Sequence, residues 1–296
     1  MDLGYIGTAM VTPFSETGYI DYDLTETLIE HLIATGTDSL IVCGTTGESP
    51  TLNHEEKSNL FKYAIEIVNK RIPVIAGTGT FNTAETVKLT RQAETLGADG
   101  IMLVTPYYNK PDQKGIIAHF SHIAGETNLP IMLYNIPGRS AVNMQSETVI
   151  ELSKIKNIRA VKEASGSLDQ ISNIISGTDK GFKVYSGDDA LTLPVLSIGG
   201  DGVISVASHI VGSQMQQMMS AFKLGDTNNA AEMHRTLLPL FQAIFSAPNP
   251  VPIKYALKKI GINTGGVRMP LTEFGRESAS FDAIWNEFKN KLQISQ

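Results

Sequence analysis

The runs YIGTAMV (residues 5–11) and GVISV (residues 202–206) decide the fold, because they are the first and the last of eight similar segments along the chain. Both runs are apolar and β-branched, and neither carries the charged side chains that protect an exposed edge strand. The first and last strands of a sheet pair with each other when the sheet closes into a barrel. The two runs therefore favour a closed barrel over an open sheet.

Six further runs of the same character lie between these two, and their length and composition are typical of buried parallel strands. They occupy residues 39–43, 73–76, 100–104, 130–134, 158–162 and 183–185. Segments of helical period separate them, including residues 22–35, 54–69, 83–96 and 114–126. Eight strands alternating with helices predict an α/β fold, a (β/α)8 TIM barrel. The alternative is a doubly wound open sheet of six or seven strands.

The part of the chain that follows the eighth run has helical pattern and no further strand pattern. Its apolar period marks helices over residues 213–224, 228–245, 253–260 and 280–291. These segments predict a C-terminal helical extension. We expect residues 1–224 to form the catalytic barrel and residues 225–296 to form the extension.

The composition is that of an ordinary globular protein, with 42% hydrophobic residues, 18% charged residues and a net charge of -6. Lysine and arginine residues are scattered along the chain, which argues against nucleic acid as a partner. The single cysteine, Cys43, cannot form an internal disulfide, and this favours a reducing cytoplasm. Neither a signal-peptide pattern nor an apolar run of roughly 18 to 20 residues occurs, so we expect no export and no membrane insertion.

Lys162 is the first candidate catalytic residue, because it ends the sixth strand run, IRAVK. Catalytic groups of such barrels lie at the carboxyl ends of the strands. A lysine that points into the barrel loses hydration, and burial lowers its pKa toward the range in which the neutral amine is a nucleophile. That is the requirement for a Schiff-base lysine. The alternative is an outward-pointing, solvated lysine, and the spacing alone does not decide between them.

Three other strand ends carry side chains that suit such a lysine. Tyr134 ends the fifth run, and its phenol can relay a proton, although a core tyrosine with a hydrogen-bonded hydroxyl would look the same. Thr45 and Thr46 follow the second run, where hydroxyls and a glycine-flanked backbone can bind a carboxylate. Arg139 follows a Pro-Gly turn and can grip a second carboxylate, although loop arginines are more often solvated.

Other mechanisms lack their usual motifs. The six histidines form no HExxH pair and lie on no strand end beside a carboxylate, so we expect no metal site. The chain has no G-x-S-x-G elbow and no G-x-G-x-x-G after a strand, which argues against a serine hydrolase and a nicotinamide enzyme.

Taken together, the strand-end motifs GTTGES, AGTGT, TPYYNKP, YNIPGR, KEASG, SGDD and GVISV resemble those of the dihydrodipicolinate synthase family. The match runs in order from residue 7 to about residue 206 and is specific as a combination. The wider superfamily includes N-acetylneuraminate lyase and keto-deoxy-sugar acid aldolases, which share the barrel, the lysine and the tyrosine. The two threonines of GTTGE and the arginine of YNIPGR favour the synthase, because sialic-acid lyases differ at both places.

This resemblance implies that pyruvate condenses with L-aspartate 4-semialdehyde on a lysine Schiff base, without a cofactor, in lysine and diaminopimelate biosynthesis. Lys162 would form the imine with pyruvate, and Tyr134, Thr45 and Tyr108 would relay protons. The implied substrate contacts are Thr46 for the pyruvate carboxylate, Arg139 for the semialdehyde carboxylate, and the backbones of Gly187 and Ile204.

The resemblance leaves two alternatives open. The first is a related Schiff-base keto-acid lyase, which activity on a keto-sugar acid would favour. The second is a non-catalytic binding or regulatory relative, which loss of Lys162 or Tyr134 would favour, and both residues are present.

The resemblance also implies an assembly and a regulatory property. Tyr108 is inserted into a neighbouring subunit in the family, so we expect at least a homodimer and, by resemblance, a homotetramer built as a dimer of dimers. Lysine-sensitive relatives bind L-lysine at the dimer interface, at positions that correspond here to Ser49, Pro50, His54, Lys57, Phe81, Glu85 and Tyr107. Because the sensitive pattern has histidine at position 57 and asparagine at position 81, we expect weak or no inhibition by L-lysine.

Overall fold

The computed structural model describes residues 3–276 and 278–292. Eight parallel strands pair in chain order and form a closed barrel, which confirms the prediction of a TIM barrel. The strands are β1 (Ile6–Ala9), β2 (Ser39–Val42), β3 (Val74–Gly77), β4 (Gly100–Val104), β5 (Ile131–Asn135), β6 (Ile158–Glu163), β7 (Lys183–Ser186) and β8 (Gly202–Ser205). Each overlaps its predicted run, and the largest differences are at the ends of β1.

Closure occurs where the first and last strands were expected to meet. On β1, Gly7 is in register with Ser39 of β2 and with Ile204 of β8. The backbones of β8 and the segment before β1 come so close that a Cβ at Gly202 would lie 2.2 Å from the Tyr5 carbonyl oxygen. The absence of a side chain at position 202 is therefore a condition of this pairing.

Twelve α-helices lie within the described residues and surround or follow the strands. They are α1 (Tyr22–Ala34), α2 (His54–Val68), α3 (Thr83–Leu96), α4 (Gln113–Ala124), α5 (Pro137–Ser140), α6 (Ser146–Ser153), α7 (Leu168–Gly177), α8 (Thr192–Ser197), α9 (Ser208–Lys223), α10 (Thr227–Ala243), α11 (Val251–Lys259) and α12 (Ser278–Leu292). Helix α9 begins earlier than the predicted residue 213, and its backbone is non-helical at Val211, with φ -136°.

Polar caps fix where the outer helices begin. Asn53 accepts a hydrogen bond from the Glu56 backbone N–H while the Glu56 side chain accepts one from the Asn53 N–H, which is a complete capping box at the start of α2. The Asn82 side chain likewise accepts a hydrogen bond from the Glu85 backbone N–H at the start of α3. Helix α3 ends at Gly97, which has the left-handed conformation with φ 90°. These caps define where the strand-to-helix loops end, and the parallel pairing of the strands brings their carboxyl ends to one face of the barrel.

Two separate apolar cores result from strand alternation, in which neighbouring residues point to opposite faces of the sheet. The outer core lies between the strands and the helices. The inner core fills the barrel lumen and consists of Leu3, Ala9, Ile41, Ile75, Met102, Met132, Tyr134, Ala160, Tyr185 and Ile204. Side chains that share the lumen face of these strands are removed from water on all sides.

Candidate active site

Lys162 points into the barrel. Its neighbour two residues earlier on β6, Ala160, belongs to the lumen core, so alternation places Lys162 on the same face. The lysine is only 5% exposed, and its Nζ lies 4.3 Å from the centroid of the Tyr134 ring on the adjacent strand. The alternative of an outward, solvated lysine is therefore wrong.

The surroundings of Lys162 make its amine less basic than that of an ordinary lysine. Burial lowers the pKa of Lys162 to about 8, while the negative charge of Asp189 opposes this shift and the positive charge of Arg139 adds to it. Desolvation dominates because an ammonium group inside a closed barrel has lost its water. A substantial fraction of the neutral amine is consequently present near neutral pH, and a neutral amine can add to a carbonyl carbon.

Gly187 provides the room that the Lys162 side chain occupies. A Cβ at position 187 would lie 3.1 Å from Lys162 Cε and 2.7 Å from the Cβ of Ala164. The Gly187 N–H donates to the carbonyl of Glu163, which holds this backbone beside β6. Gly187 therefore lies against the aliphatic part of the Lys162 side chain, where the Gly187 backbone can face a group bound to the lysine amine.

Tyr134 and Thr45 are linked at the top of the lumen. Burial raises the pKa of Tyr134 to about 12, and the nearby positive charge of Arg139 and a side-chain hydrogen bond with Thr45 oppose this shift. The phenol therefore stays protonated at neutral pH, and its hydrogen-bond connection to Thr45 gives a path along which a proton can move. Tyr134 is therefore a core residue, and its role as a proton donor stays a prediction.

A cavity of about 200 Å³ opens above these residues. Thr45, Tyr134 and Arg139 line it, together with Cys43, Gly44, Ser49, Pro50, Gly77, Gly79, Met102, Val104, Tyr107, Ile136 and Ser140. The five other predicted site residues are not among the described residues that line it: Thr46, Tyr108, Lys162, Gly187 and Ile204. Lys162 lies against the ring of Tyr134, which does line the cavity, and Ile204 is buried in the lumen core.

Arg139 lies at the mouth of this cavity on the four-residue helix α5. Its side chain is exposed, and among the described residues no carboxylate forms an ion pair with its guanidinium. An unpaired guanidinium at a cavity mouth is suited to a bidentate contact with an incoming carboxylate.

Tyr108 is not packed against the other site residues of its own chain. It is 90% exposed and has a left-handed backbone with φ 68°, whereas Tyr134 is buried. The preceding Tyr107 packs edge-on against Phe81, and the Asn109 side chain donates to the Phe81 carbonyl. The turn is therefore held down on both sides of Tyr108, which directs this one ring into solvent in the single chain.

Two polar residues at the site were missed by sequence reasoning. The Asp189 carboxylate is buried and accepts hydrogen bonds from the backbone N–H groups of Val206 and Ala207, which ties the end of β7 to the end of β8. Asn249, on the C-terminal extension, donates from Nδ2 to the Thr46 hydroxyl at 2.9 Å. The motif SGDD marked the first, but no spacing in the sequence relates residue 249 to residue 46.

Residues 3–276 and 278–292 contain no group of three histidine, cysteine, aspartate or glutamate side chains placed to hold a metal ion. Over the same ranges, none of the helices has both the length and the apolar character that a bilayer crossing requires.

The family follows from comparison with known proteins. The model of the dihydrodipicolinate synthetase (DHDPS) family matches residues 2–283. The chain belongs to this family. It is 57% identical to 4-hydroxy-tetrahydrodipicolinate synthase 2 of Halalkalibacterium halodurans over 271 residues, which cover 92% of this chain and 93% of that protein.

Solved structures of the DHDPS family have the same fold. A DHDPS from Cyanidioschyzon merolae with lysine bound is 45% identical and superposes with a TM-score of 0.95 over 99% of both chains. A monomeric dihydrodipicolinate synthase variant is 41% identical and superposes with a TM-score of 0.94 over 97% of both chains.

The lowered pKa of Lys162 predicts the pH dependence of amine attack in this DHDPS-family chain. The reactive form is the neutral amine, so the rate of imine formation with pyruvate should rise as pH increases through about 8 and then level off. A lysine with the ordinary value of 10.5 would be neutral in only about one molecule in 300 at pH 8. Borohydride trapping of the pyruvate adduct at a series of pH values measures this profile. A rate still rising above pH 10 would contradict it.

Proposed function

We propose that this chain is a 4-hydroxy-tetrahydrodipicolinate synthase, a lyase-type class I aldolase that condenses pyruvate with L-aspartate 4-semialdehyde. The relatives in the DHDPS family that carry this name support the overall reaction. The observation that supports the mechanism is the buried Lys162 amine, with its lowered pKa, against the protonated Tyr134 phenol.

The proposed chemistry begins when the neutral Lys162 amine adds to the keto carbon of pyruvate. Protonation of the resulting hydroxyl, with the proton supplied through Tyr134 and Thr45, releases water and forms the imine. Loss of a methyl proton then gives an enamine, because the protonated imine accepts the electron pair. The enamine carbon attacks the aldehyde carbon of the second substrate. The amino group of that substrate finally adds to the imine carbon, closes the ring and expels Lys162 as the free amine.

The proposed substrate contacts are those that the family resemblance implies. The Thr46 hydroxyl would bind the pyruvate carboxylate, and the backbones of Gly187 and Ile204 would line the pocket beside the imine. Arg139 would bind the carboxylate of the semialdehyde, because its guanidinium lies at the cavity mouth without a carboxylate partner among the described residues. The reaction needs no cofactor, since the imine itself serves as the electron sink.

Imine trapping tests this mechanism. Borohydride added with pyruvate should irreversibly inactivate the enzyme and add the mass of reduced pyruvate to Lys162, because only an imine is trapped in this way. Lys162→Ala should lower the rate by several orders of magnitude, since the covalent nucleophile is gone. Peptide mass spectrometry locates the label, and a label on another residue would exclude the proposed nucleophile.

A substrate panel in the same assay separates the synthase from its main alternative. Pyruvate with aspartate semialdehyde should turn over, and N-acetylneuraminate and keto-deoxy-gluconate should not. Turnover of a keto-sugar acid alone would identify a related keto-acid lyase. A pyruvate imine that forms without turnover of either substrate class would favour the non-catalytic relative.

We also propose that the active form is a homodimer at least, and a homotetramer by family resemblance. The support is the exposure of Tyr108, which leaves the proton relay of Tyr134 and Thr45 incomplete in one chain. In a two-fold symmetric dimer each chain can insert this tyrosine into the site of its partner. The proposal places the enzyme in the cytoplasm, for which the support is the single buried Cys43.

Hybrid oligomers should reveal whether Tyr108 acts across a subunit boundary. Neither Tyr108→Phe nor Lys162→Ala should retain substantial activity alone. Co-expressed in equal amounts, they should recover about a quarter of the wild-type activity, because half of the random dimers are hybrids with one intact site. The matched control combines Lys162→Ala with Thr45→Val, whose residues belong to one chain's site and should not complement. Equal recovery in both mixtures, or a fully active monomer in sedimentation, would exclude the shared site.

Weak inhibition by L-lysine is proposed from the surroundings of Lys57. This ammonium is half-buried, and burial lowers its pKa, while Glu85 opposes the shift. A fixed cation there repels a cationic ligand at short range. The Glu85 carboxylate already contacts His54, and the Phe81 ring forms a T-shaped pair with the Tyr107 ring where the sensitive pattern has a polar side chain.

Introducing the residues of the lysine-sensitive pattern, histidine at position 57 and asparagine at position 81, should make the enzyme sensitive to L-lysine. Wild-type enzyme should keep most of its activity at submillimolar L-lysine, whereas Lys57→His with Phe81→Asn should be inhibited in that range. Initial rates at neutral pH, with D-lysine as the control ligand, measure both. Half-inhibition of the wild type at submillimolar L-lysine would show that Lys57 and Phe81 do not disable the site.

A further inference from the structure

The C-terminal extension reaches into the strand-end loop that carries the two threonines. Asn249 lies just before α11, and its Nδ2 donates to the Thr46 hydroxyl oxygen at 2.9 Å, across 203 residues of sequence. Both residues are buried, with exposures of 7% and 2%. A buried polar group without a hydrogen-bond partner destabilises the folded state. The contact therefore favours the packing that brings these two distant parts of the chain together.

The chemistry of this contact determines what the Thr46 hydroxyl can do next. An amide nitrogen only donates, so the Thr46 oxygen is the acceptor and its own hydrogen remains available. Among the described residues, no other group hydrogen bonds to this hydroxyl. In this orientation the Asn249 Oδ1 and the second hydrogen of Nδ2 have no hydrogen-bond partner among the described residues. The observed orientation therefore presents Thr46 as a hydrogen-bond donor.

A second contact holds the same loop to the same part of the extension. Lys254 on α11 forms an ion pair with Glu48 at 2.8 Å, and both side chains are almost fully buried. The Lys254 ammonium also donates to the Gly266 carbonyl, and the Arg268 backbone N–H donates to the second Glu48 oxygen. Breaking a buried pair leaves an uncompensated charge, so this contact strongly restricts the loop. The position of Asn249 relative to Thr46 is consequently rigid.

We propose that Asn249 is a positioning residue that aims the Thr46 hydroxyl at the carboxylate of pyruvate, so that the extension completes a substrate site built mainly by the barrel. This inference rests on the proposed function, in which Thr46 binds that carboxylate. Asn249 acts through Thr46 and does not itself touch the reacting atoms. Its loss should therefore weaken pyruvate binding and leave the later chemical steps nearly intact.

Measurement of pyruvate-imine formation isolates this effect, because borohydride trapping needs no second substrate. Asn249→Ala should raise the half-saturating pyruvate concentration about tenfold, the worth of one hydrogen bond to a charged group, and change the limiting rate by less than about threefold. Asn249→Asp should raise it further, since a carboxylate would accept the Thr46 hydrogen and repel pyruvate. Asn228→Ala, at an exposed asparagine of α10, is the matched control and should behave as wild type.

A double-mutant cycle with Thr46→Val distinguishes positioning from a structural role. If Asn249 acts through Thr46, then Thr46→Val with Asn249→Ala should be no worse in pyruvate half-saturation than Thr46→Val alone. Additive effects, or a fall in limiting rate with unchanged half-saturation, would overturn the proposal. Thermal melting checks folding. If Asn249→Ala does not fold, Asn249→Ser replaces it in the test. Serine is a smaller donor, so this variant should keep part of the wild-type affinity for pyruvate. Absence of any pyruvate imine in the wild type would refute the proposed function instead.

Discussion

Desolvation of the Lys162 ammonium inside a closed barrel is the constraint on which the site depends. Strand alternation places this side chain on the lumen face, and closure of β8 on β1 removes the remaining access of water. An ammonium in such a place is stabilised less than in water, so its pKa falls. The same feature that makes the barrel a packed core therefore increases the neutral fraction of the amine that we propose as the nucleophile.

The residues around Lys162 partly offset the free-energy cost of burying its ammonium group. Asp189 is buried and keeps the lysine pKa from falling further, while its oxygens hold the backbone at the end of β8. Gly187 leaves space for the lysine stem. Positive φ angles occur at Cys43, Glu48 and Tyr108, none of them glycine, and they cluster at the loops around the cavity. Such strain persists only where surrounding contacts over-determine the backbone, which is typical of functional sites.

The proposed site draws on three separate parts of the assembly. The barrel strands supply the amine and the phenol, the extension supplies the asparagine behind Thr46, and a second copy of the chain would supply Tyr108. This division has a physical reason, because a barrel lumen has room for a few polar groups only. Further donors must approach from above the strand ends, and loops alone position them less rigidly than a helix anchored by a buried ion pair.

The sequence by itself determined the order of strands and helices, because residue periodicity reports which faces are buried. It also predicted Lys162, Tyr134, Thr45, Thr46 and Arg139 as site residues, because catalytic groups of a barrel lie at strand ends. The direction of Lys162, its lowered pKa and the contact of Asn249 with Thr46 were decided only by the tertiary structure. Desolvation and contacts across 203 residues depend on how distant segments pack, and no local pattern encodes them.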